Sequence, residues 1–437
     1  MSQTAGAAAA LSAFCVLLSG CGGSQADAPP PPPPPPPSSD TGQDPGSGGN
    51  NPGSTNPPAT TTDPDSLSTG PEDCTDGSAG DFACSGIALE SRVALDTMGA
   101  TGGNDIWGWA DEQTGKEYAL MGLTNGTGFV DISDPENPVY LGSLPTQTVD
   151  SSWRDIKVYS DHAYVVADGA GEHGMQIFDL TRLRGAGGSQ TFSEDMLYDG
   201  FGHSHNLAIN EATGFAYAVS TDTCDGGLHI MNLRTPNNPL FAGCHNVTRT
   251  HDTQCVVYRG PDAEHRDREI CFSSNEDDVE IVDVQDKSAP VTLSTATYSQ
   301  LGYAHQGWLT EDHRYFLLGD ELDEFNFDLS TRTHVFDVSD LDAPAHLFVH
   351  DLGTSSIDHN LYVQGNRVFQ ANYTTGLRVL EFGDLAARDI REIAFFDTLP
   401  GDDSRSFQGA WSVYPYLPSG TLIVSDIENG LFVLSMQ

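Results

Sequence analysis

The sequence predicts an all-β protein: a seven-bladed β-propeller closed by an N-terminal strand and preceded by a disordered tether. Three observations predict it: a short phrase that occurs seven times, the period of that phrase, and an incomplete last repeat. The phrase is a glycine or polar turn, an alternating apolar stretch, then an acidic or amide residue, often followed by a proline turn. Its copies are 128–132, 175–180, 227–233, 279–284, 333–338, 376–381 and 430–435. They recur roughly every 45 to 54 residues, a spacing in the range of propeller blades.

Each repeat reads as four short strands bounded by Gly, Asn, Asp or Pro. In the third repeat, 205–209 is strand A, 215–219 strand B, 228–233 strand C and 239–243 strand D. Asp131 and its equivalents end strand C and are expected to cap the turn that follows, not to bind a ligand. The last repeat has only Ser435, Met436 and Gln437 after its strand C, too few for a fourth strand. At the other end, 87–95 is apolar and has no repeat of its own. Pairing the two closes the ring and removes two exposed edges.

The first 20 residues read as a signal peptide: Ala7 to Leu18 is apolar but too short to cross a bilayer. Leu18-Ser19-Gly20-Cys21 looks like a bacterial lipobox, although no Lys or Arg precedes Arg92 to supply the usual positive start. On that reading Cys21 is lipidated, the chain is anchored to the membrane by several acyl chains, and it sits at the bacterial surface or outer membrane. Residues 21–73 form the linker, an unbroken proline run from Pro29 to Pro37 followed by Gly, Ser, Thr, Asn and Asp. The propeller is assigned to 74–437.

The chain has 437 residues with 19 Lys and Arg against 62 Asp and Glu, a formal net charge of -43. Such a surface repels phosphate backbones, which excludes nucleic acid as a partner. Beyond Cys15 and Cys21, Cys74, Cys84, Cys224, Cys244, Cys255 and Cys271 are an even set that suits disulfides in an exported protein. Pairing nearest neighbours closes a small loop before the propeller and staples blades three and four. Six cysteines allow 15 pairings, so that choice rests on closeness in sequence alone.

Strand A lines the channel of a propeller, and strand B, antiparallel to it, ends at the mouth where A begins. Four consecutive A strands bring a histidine there: His205, His251, His305 and His359. Asp155 and Asp252 also lie at A-strand starts, and Asp168 and Asp320 at B-strand ends. Imidazoles beside carboxylates suit a divalent metal, and a carboxylate on the far ring nitrogen would fix the tautomer. The plainer reading is a wet polar channel whose histidines bond one another and the backbone. The acidic loop from Asp320 to Asp328 lacks the glycine and glutamate spacing of an EF-hand and reads as solvated. Trp107, Trp109, Trp153, Trp308 and Trp411 lie near A-strand starts, where they form either an aromatic platform for a sugar or peptide or packing between blades. No HExxH, Walker, dinucleotide or nucleophile-elbow motif occurs.

Several phrases resemble the bacterial choice-of-anchor B family, whose members carry LVIVD-type repeats. They are 74–77 with 82–84, 105–109, 122–127, 151–155, 250–255, 305–312 and 358–362, in order from Cys74 to the end. The resemblance implies a secreted protein attached to the surface, and it brings no established activity or catalytic residues. The expected function is therefore that of an exported, lipid-anchored binding or interaction module whose ligand is a surface protein, peptide or glycan. The alternative is a metal-dependent hydrolase or lyase working at the histidine mouth.

Overall fold

The computed structural model describes residues 67–246 and 249–437. The signal peptide, Cys21 and most of the linker lie outside the described residues. Seven sheets, antiparallel apart from a two-residue parallel strand at the outer edge of blade one, follow one another around the ring as blades one to seven, and their inner A strands are Gly103–Asp111, Trp153–Tyr159, Asn206–Asn210, Asp252–Val257, Ala304–Leu309, Asn360–Gln364 and Ala410–Tyr414. The propeller expectation holds. In the third blade the other strands are Phe215–Val219, Leu228–Asn232 and Leu240–His245, within two residues of the bounds the sequence suggests.

The closure is as expected. Ile87–Val93 supplies the outer strand of blade seven and pairs antiparallel with Gly430–Met436, Leu89 opposite Leu434. Gly430 stands at φ +89, and a Cβ there would meet the Val93 carbonyl oxygen at 2.3 Å. Only glycine allows the closing strand to lie so close at that bend.

The fold reaches further back than the composition break at Asp73 implies, which corrects the 21–73 linker. Leu67 is buried, the Glu72 N–H donates to Leu89 O at 2.8 Å, and Arg92 N–H donates to Thr69 O at 3.0 Å. The Arg92 guanidinium also donates to the carbonyls of Leu67 and Ser68. An apolar side chain and a buried cation, not composition, tie this segment to the propeller. Ser78–Ala79 and Phe82–Ser85 then form a hairpin that extends the outer edge of blade six, Cys84 opposite Phe396.

The three nearest-neighbour disulfides are present: Cys74–Cys84, Cys224–Cys244 and Cys255–Cys271. The last joins directly opposite residues of strands A and B in blade four. The turn caps also appear where expected. Asp131, Asp179, Asn232, Asp283 and Asp337 each accept, through Oδ1, the N–H two residues on. Those Asx turns explain why an acid or amide recurs at the end of the phrase.

Adjacent A strands are clamped by side chains. Asp105 accepts Ile156 N–H at 3.0 Å, Asp155 accepts Leu207 N–H at 2.6 Å, Gln254 accepts Leu309 N–H at 2.8 Å and Gln306 accepts Leu361 N–H at 2.9 Å. An inner strand has one free edge facing its neighbour, and each clamp satisfies a buried N–H there.

Candidate functional site

The four histidines do converge, because each sits at the same register position of successive blades. Ring centroids are 4.5 Å apart from His205 to His251, 4.3 Å from His251 to His305 and 4.4 Å from His305 to His359. Trp411 continues the belt 4.6 Å beyond His359. Each ring leans on the next blade. His251 Nδ1 lies 3.0 Å from the His305 carbonyl and His359 Nδ1 2.5 Å from the Trp411 carbonyl. His305 repeats the arrangement toward the His359 carbonyl more loosely, without a full hydrogen bond.

A carbonyl oxygen only accepts, so Nδ1 of His251 and of His359 carries the proton and Nε2 keeps its lone pair. That is the tautomer a metal ligand needs. Burial also keeps these rings neutral. It holds His251 and His305 well below the usual histidine range, with the neighbouring histidines acting in the same direction, and it lowers His359 to about 3.

Glu321 completes the arrangement. Its two oxygens lie 3.8 Å from Nε2 of His305 and of His359, and all three ligand atoms fall within 4.8 Å of one another. Tyr373 donates to Glu321 Oε1 at 2.7 Å. Burial raises the Glu321 carboxyl to about 7, against the lowering pull of that hydroxyl. Sequence reasoning stopped one residue short here: it placed Asp320 at the end of strand B, and Glu321 follows it.

The other predicted site residues divide. Asp168 joins the belt, its Oδ2 3.1 Å from His205 Nδ1. Burial would raise the Asp168 carboxyl, but the His205 bond and charge overcome it and leave it at about 2. Asp155 and Asp252 sit deeper in the channel. Lys157 Nζ lies 2.5 Å from Asp155 and 3.7 Å from Asp105, and burial raises Asp252 to about 7. Asp155 is thus a clamp and an ion-pair partner. Asp320 is turned away from the belt, accepting from Tyr298 Oη, Gly302 N–H and Tyr303 N–H. The loop after it is not solvated as expected: Asp323 and Glu324 are 1 % and 0 % exposed.

The two ends of the channel differ in room. At the histidine end, a small pocket of about 10 Å³ is lined by His205, His305, His359 and Trp411 among others. That admits an ion or a water. The opposite end opens into a cavity of about 450 Å³. One wall is aromatic, with Trp107, Trp308, Tyr362, Tyr414 and Tyr416. Those rings pack edge to face, Trp308 to Tyr362 at 5.0 Å and Tyr414 to Tyr416 at 5.4 Å. The facing wall carries Asn210, Glu211, Asp252 and Gln254 among apolar residues such as Ala208, Ile209 and Val256. Trp107 and Trp308 therefore belong to this end, whereas Trp153 and Trp411 line the histidine end.

Fold and sites together define a seven-bladed β-propeller with a polar histidine end and an aromatic cavity at the other. No protein-family profile matches the chain, and no curated protein does. Solved propellers resemble it in shape alone. A protein from Lactobacillus plantarum aligns at 13% identity over 74% of this chain and 89% of its own, with a TM-score of 0.50. The Cps50 (Swd1) β-propeller domain of Myceliophteria thermophila aligns at 10% identity over 73% and 93%, TM-score 0.47. The periplasmic gluconolactonase of Pseudomonas aeruginosa aligns at 12% over 67% and 85%, TM-score 0.48.

Proposed function

We propose that this propeller is an exported, lipid-anchored module of the bacterial surface that binds a glycan-class ligand in the aromatic cavity. The observation that carries this reading is the two-faced wall of that cavity. Trp308, Tyr414 and Tyr416, the less buried of the five rings, offer apolar surface to a sugar ring on one side, and amides and carboxylates on the other offer partners to its hydroxyls. A volume of about 450 Å³ lies within the ordinary range of ligand sites. The disulfides suit an oxidising compartment, and the lipobox-like Leu18–Cys21 and the resemblance to choice-of-anchor B proteins supply the surface assignment.

The test is a glycan array followed by calorimetry with the folded domain. Retention of sugars by the parent and loss of at least about tenfold in Trp308→Ala support the cavity. Equal retention by both proteins moves the ligand elsewhere.

A second reading rests on His305, His359 and Glu321, a two-histidine, one-carboxylate set of the type that holds catalytic zinc. It supports a metal-dependent hydrolase or lyase. The pocket beside it, of about 10 Å³, is far smaller than the aromatic cavity of about 450 Å³, which favours the binding role over the enzyme.

A further inference from the structure

Three charged side chains line the aromatic cavity: Lys157, Glu211 and Asp252. The basic one is already balanced. Lys157 Nζ lies 2.5 Å from Asp155 and 3.7 Å from Asp105, two carboxylates outside the cavity lining, and stands 4.5 Å over the Trp107 ring.

The two acidic ones are not. Among the described residues, no hydrogen bond or ion pair engages the exposed Glu211 carboxylate. Asp252 is half-buried, and its carboxylate accepts only the N–H of the next residue, Thr253, at 2.6 Å through Oδ1. Both acids are felt at the aromatic wall. Burial first, then the charges of Asp105, Asp252 and Asp155, raise the Tyr362 hydroxyl well above its usual range. Burial and then the Glu211 charge do the same to Tyr414. A phenol that holds its proton more tightly lies in negative potential, and the same potential favours a cation.

Rings opposite unpaired carboxylates suit a positively charged ligand. The faces of Trp308, Tyr414 and Tyr416 attract a cation through their quadrupole, and Glu211 and Asp252 supply counterions to it. Lys157 over Trp107 is the same attraction made within the chain. An anionic ligand would meet both carboxylates and an ammonium whose charge is already neutralised. The excess of 62 acidic over 19 basic residues also draws cations toward the protein.

We propose that the ligand of the aromatic cavity is a cationic sugar, one with a protonated amine beside its hydroxyls; the inference rests on the glycan reading above and narrows it. Glu211 and Asp252 take the amine, and the aromatic wall takes the sugar ring. The experiment is calorimetry of the purified full-length protein at pH 7 in about 0.15 M sodium chloride, which screens the acidic surface. The probes are a glucosamine trimer, the same trimer N-acetylated, and spermidine as an amine without a sugar. The glucosamine trimer should bind at least about tenfold more tightly than its uncharged counterpart. Glu211→Gln, a change at an exposed position, should cut that preference to about threefold or less and leave affinity for the N-acetylated trimer unchanged. Asp252→Asn should act in the same direction. Equal affinities for the two trimers overturn the cationic ligand and leave the glycan reading standing, as does binding of neutral sugars alone. Failure of every sugar to bind overturns both. A preference that persists in the Glu211→Gln, Asp252→Asn double variant overturns the site, by assigning the effect to the acidic surface. Spermidine binding as tightly as the glucosamine trimer, and lost in Trp308→Ala, overturns the sugar assignment.

Discussion

His305 and His359 share one carboxylate: Nε2 of each lies 3.8 Å from a different oxygen of Glu321. That separation is too long for a hydrogen bond. It is close to the roughly 3.3 Å between two donors on one tetrahedral zinc, taking metal–ligand bonds of about 2.0–2.1 Å. The hydrogen bonds of His359 to Trp411 and of Tyr373 to Glu321 hold these groups from behind, so the gap is set by the scaffold.

Zinc binding at this gap should follow the Glu321 proton. The carboxyl titrates near 7, so its anion is scarce below that pH and dominant above it. Calorimetric affinity for zinc should rise about tenfold per pH unit below 7 and level off above. Glu321→Gln should flatten the profile, and His305→Ala should abolish binding. A profile unchanged in Glu321→Gln would exclude the carboxylate from the site.

Acid should unfold the belt. His359 has a folded pKa of about 3 against 6.5 ordinarily, so the unfolded chain binds the extra proton between those values. Stability contributed by the neutral ring is therefore present above about 6.5 and lost as the pH falls toward 3. At pH 5 the loss is about 2 kcal/mol for this one group. Denaturant titrations at pH 7 and pH 5 should show His359→Gln losing less on acidification than the parent. Parallel losses would place the acid sensitivity elsewhere.

The start of the fold can be measured by truncation. A chain beginning at Cys74 forfeits Leu67 and the bonds to Arg92 and should lose about 2–4 kcal/mol against one beginning at Leu67. A chain beginning at Asp96 also lacks the strand paired with Gly430–Met436 and should melt far lower or fail to fold. Equal midpoints for the Leu67 and Cys74 chains would return the boundary to Asp73.

The periodic features were legible in the sequence because they depend on local chemistry. The turn caps at Asp131 and Asp337, the glycine before strand C and the closing strand at Ile87 all announce themselves by residue type and spacing. The histidine belt was legible too, since equal register in successive blades brings equal positions together. What could not be read was depth. Nothing in Asp320-Glu321-Leu322-Asp323-Glu324 distinguishes a solvated acidic loop from one folded inward, because burial there is decided by Tyr298, Arg332 and Asp358, far away in sequence. The aromatic cavity was hidden for the same reason: Trp308, Tyr362 and Tyr414 come from three blades, and only ring curvature joins them.

The proposed lipid anchor rests on Cys21. Cys21→Ser should leave the protein in the soluble fraction or as an uncleaved precursor, while the parent partitions with membranes and labels with a palmitate analogue. Membrane-bound, processed Cys21→Ser protein would end the lipoprotein reading.

Asp155 separates scaffold from site. Its Oδ2 accepts Leu207 N–H and its Oδ1 holds Lys157, while Lys157 is 3.7 Å from its other partner, Asp105. Asp155→Ala leaves a buried ammonium with a distant counterion and an inner-strand N–H with none. Breaking a buried pair in this way costs about 3–5 kcal/mol. Asp155→Asn keeps an acceptor for Leu207 and should cost less, by about the worth of the charge on Lys157. Because Asp155 stands deeper than His305, His359 and Glu321, neither change should alter zinc affinity by more than about twofold once the protein is folded. Calorimetry at a temperature well below the variant's melting point reads this directly. A tenfold loss of zinc affinity in Asp155→Asn, with stability preserved, would make Asp155 part of the metal site and not of the clamp between blades.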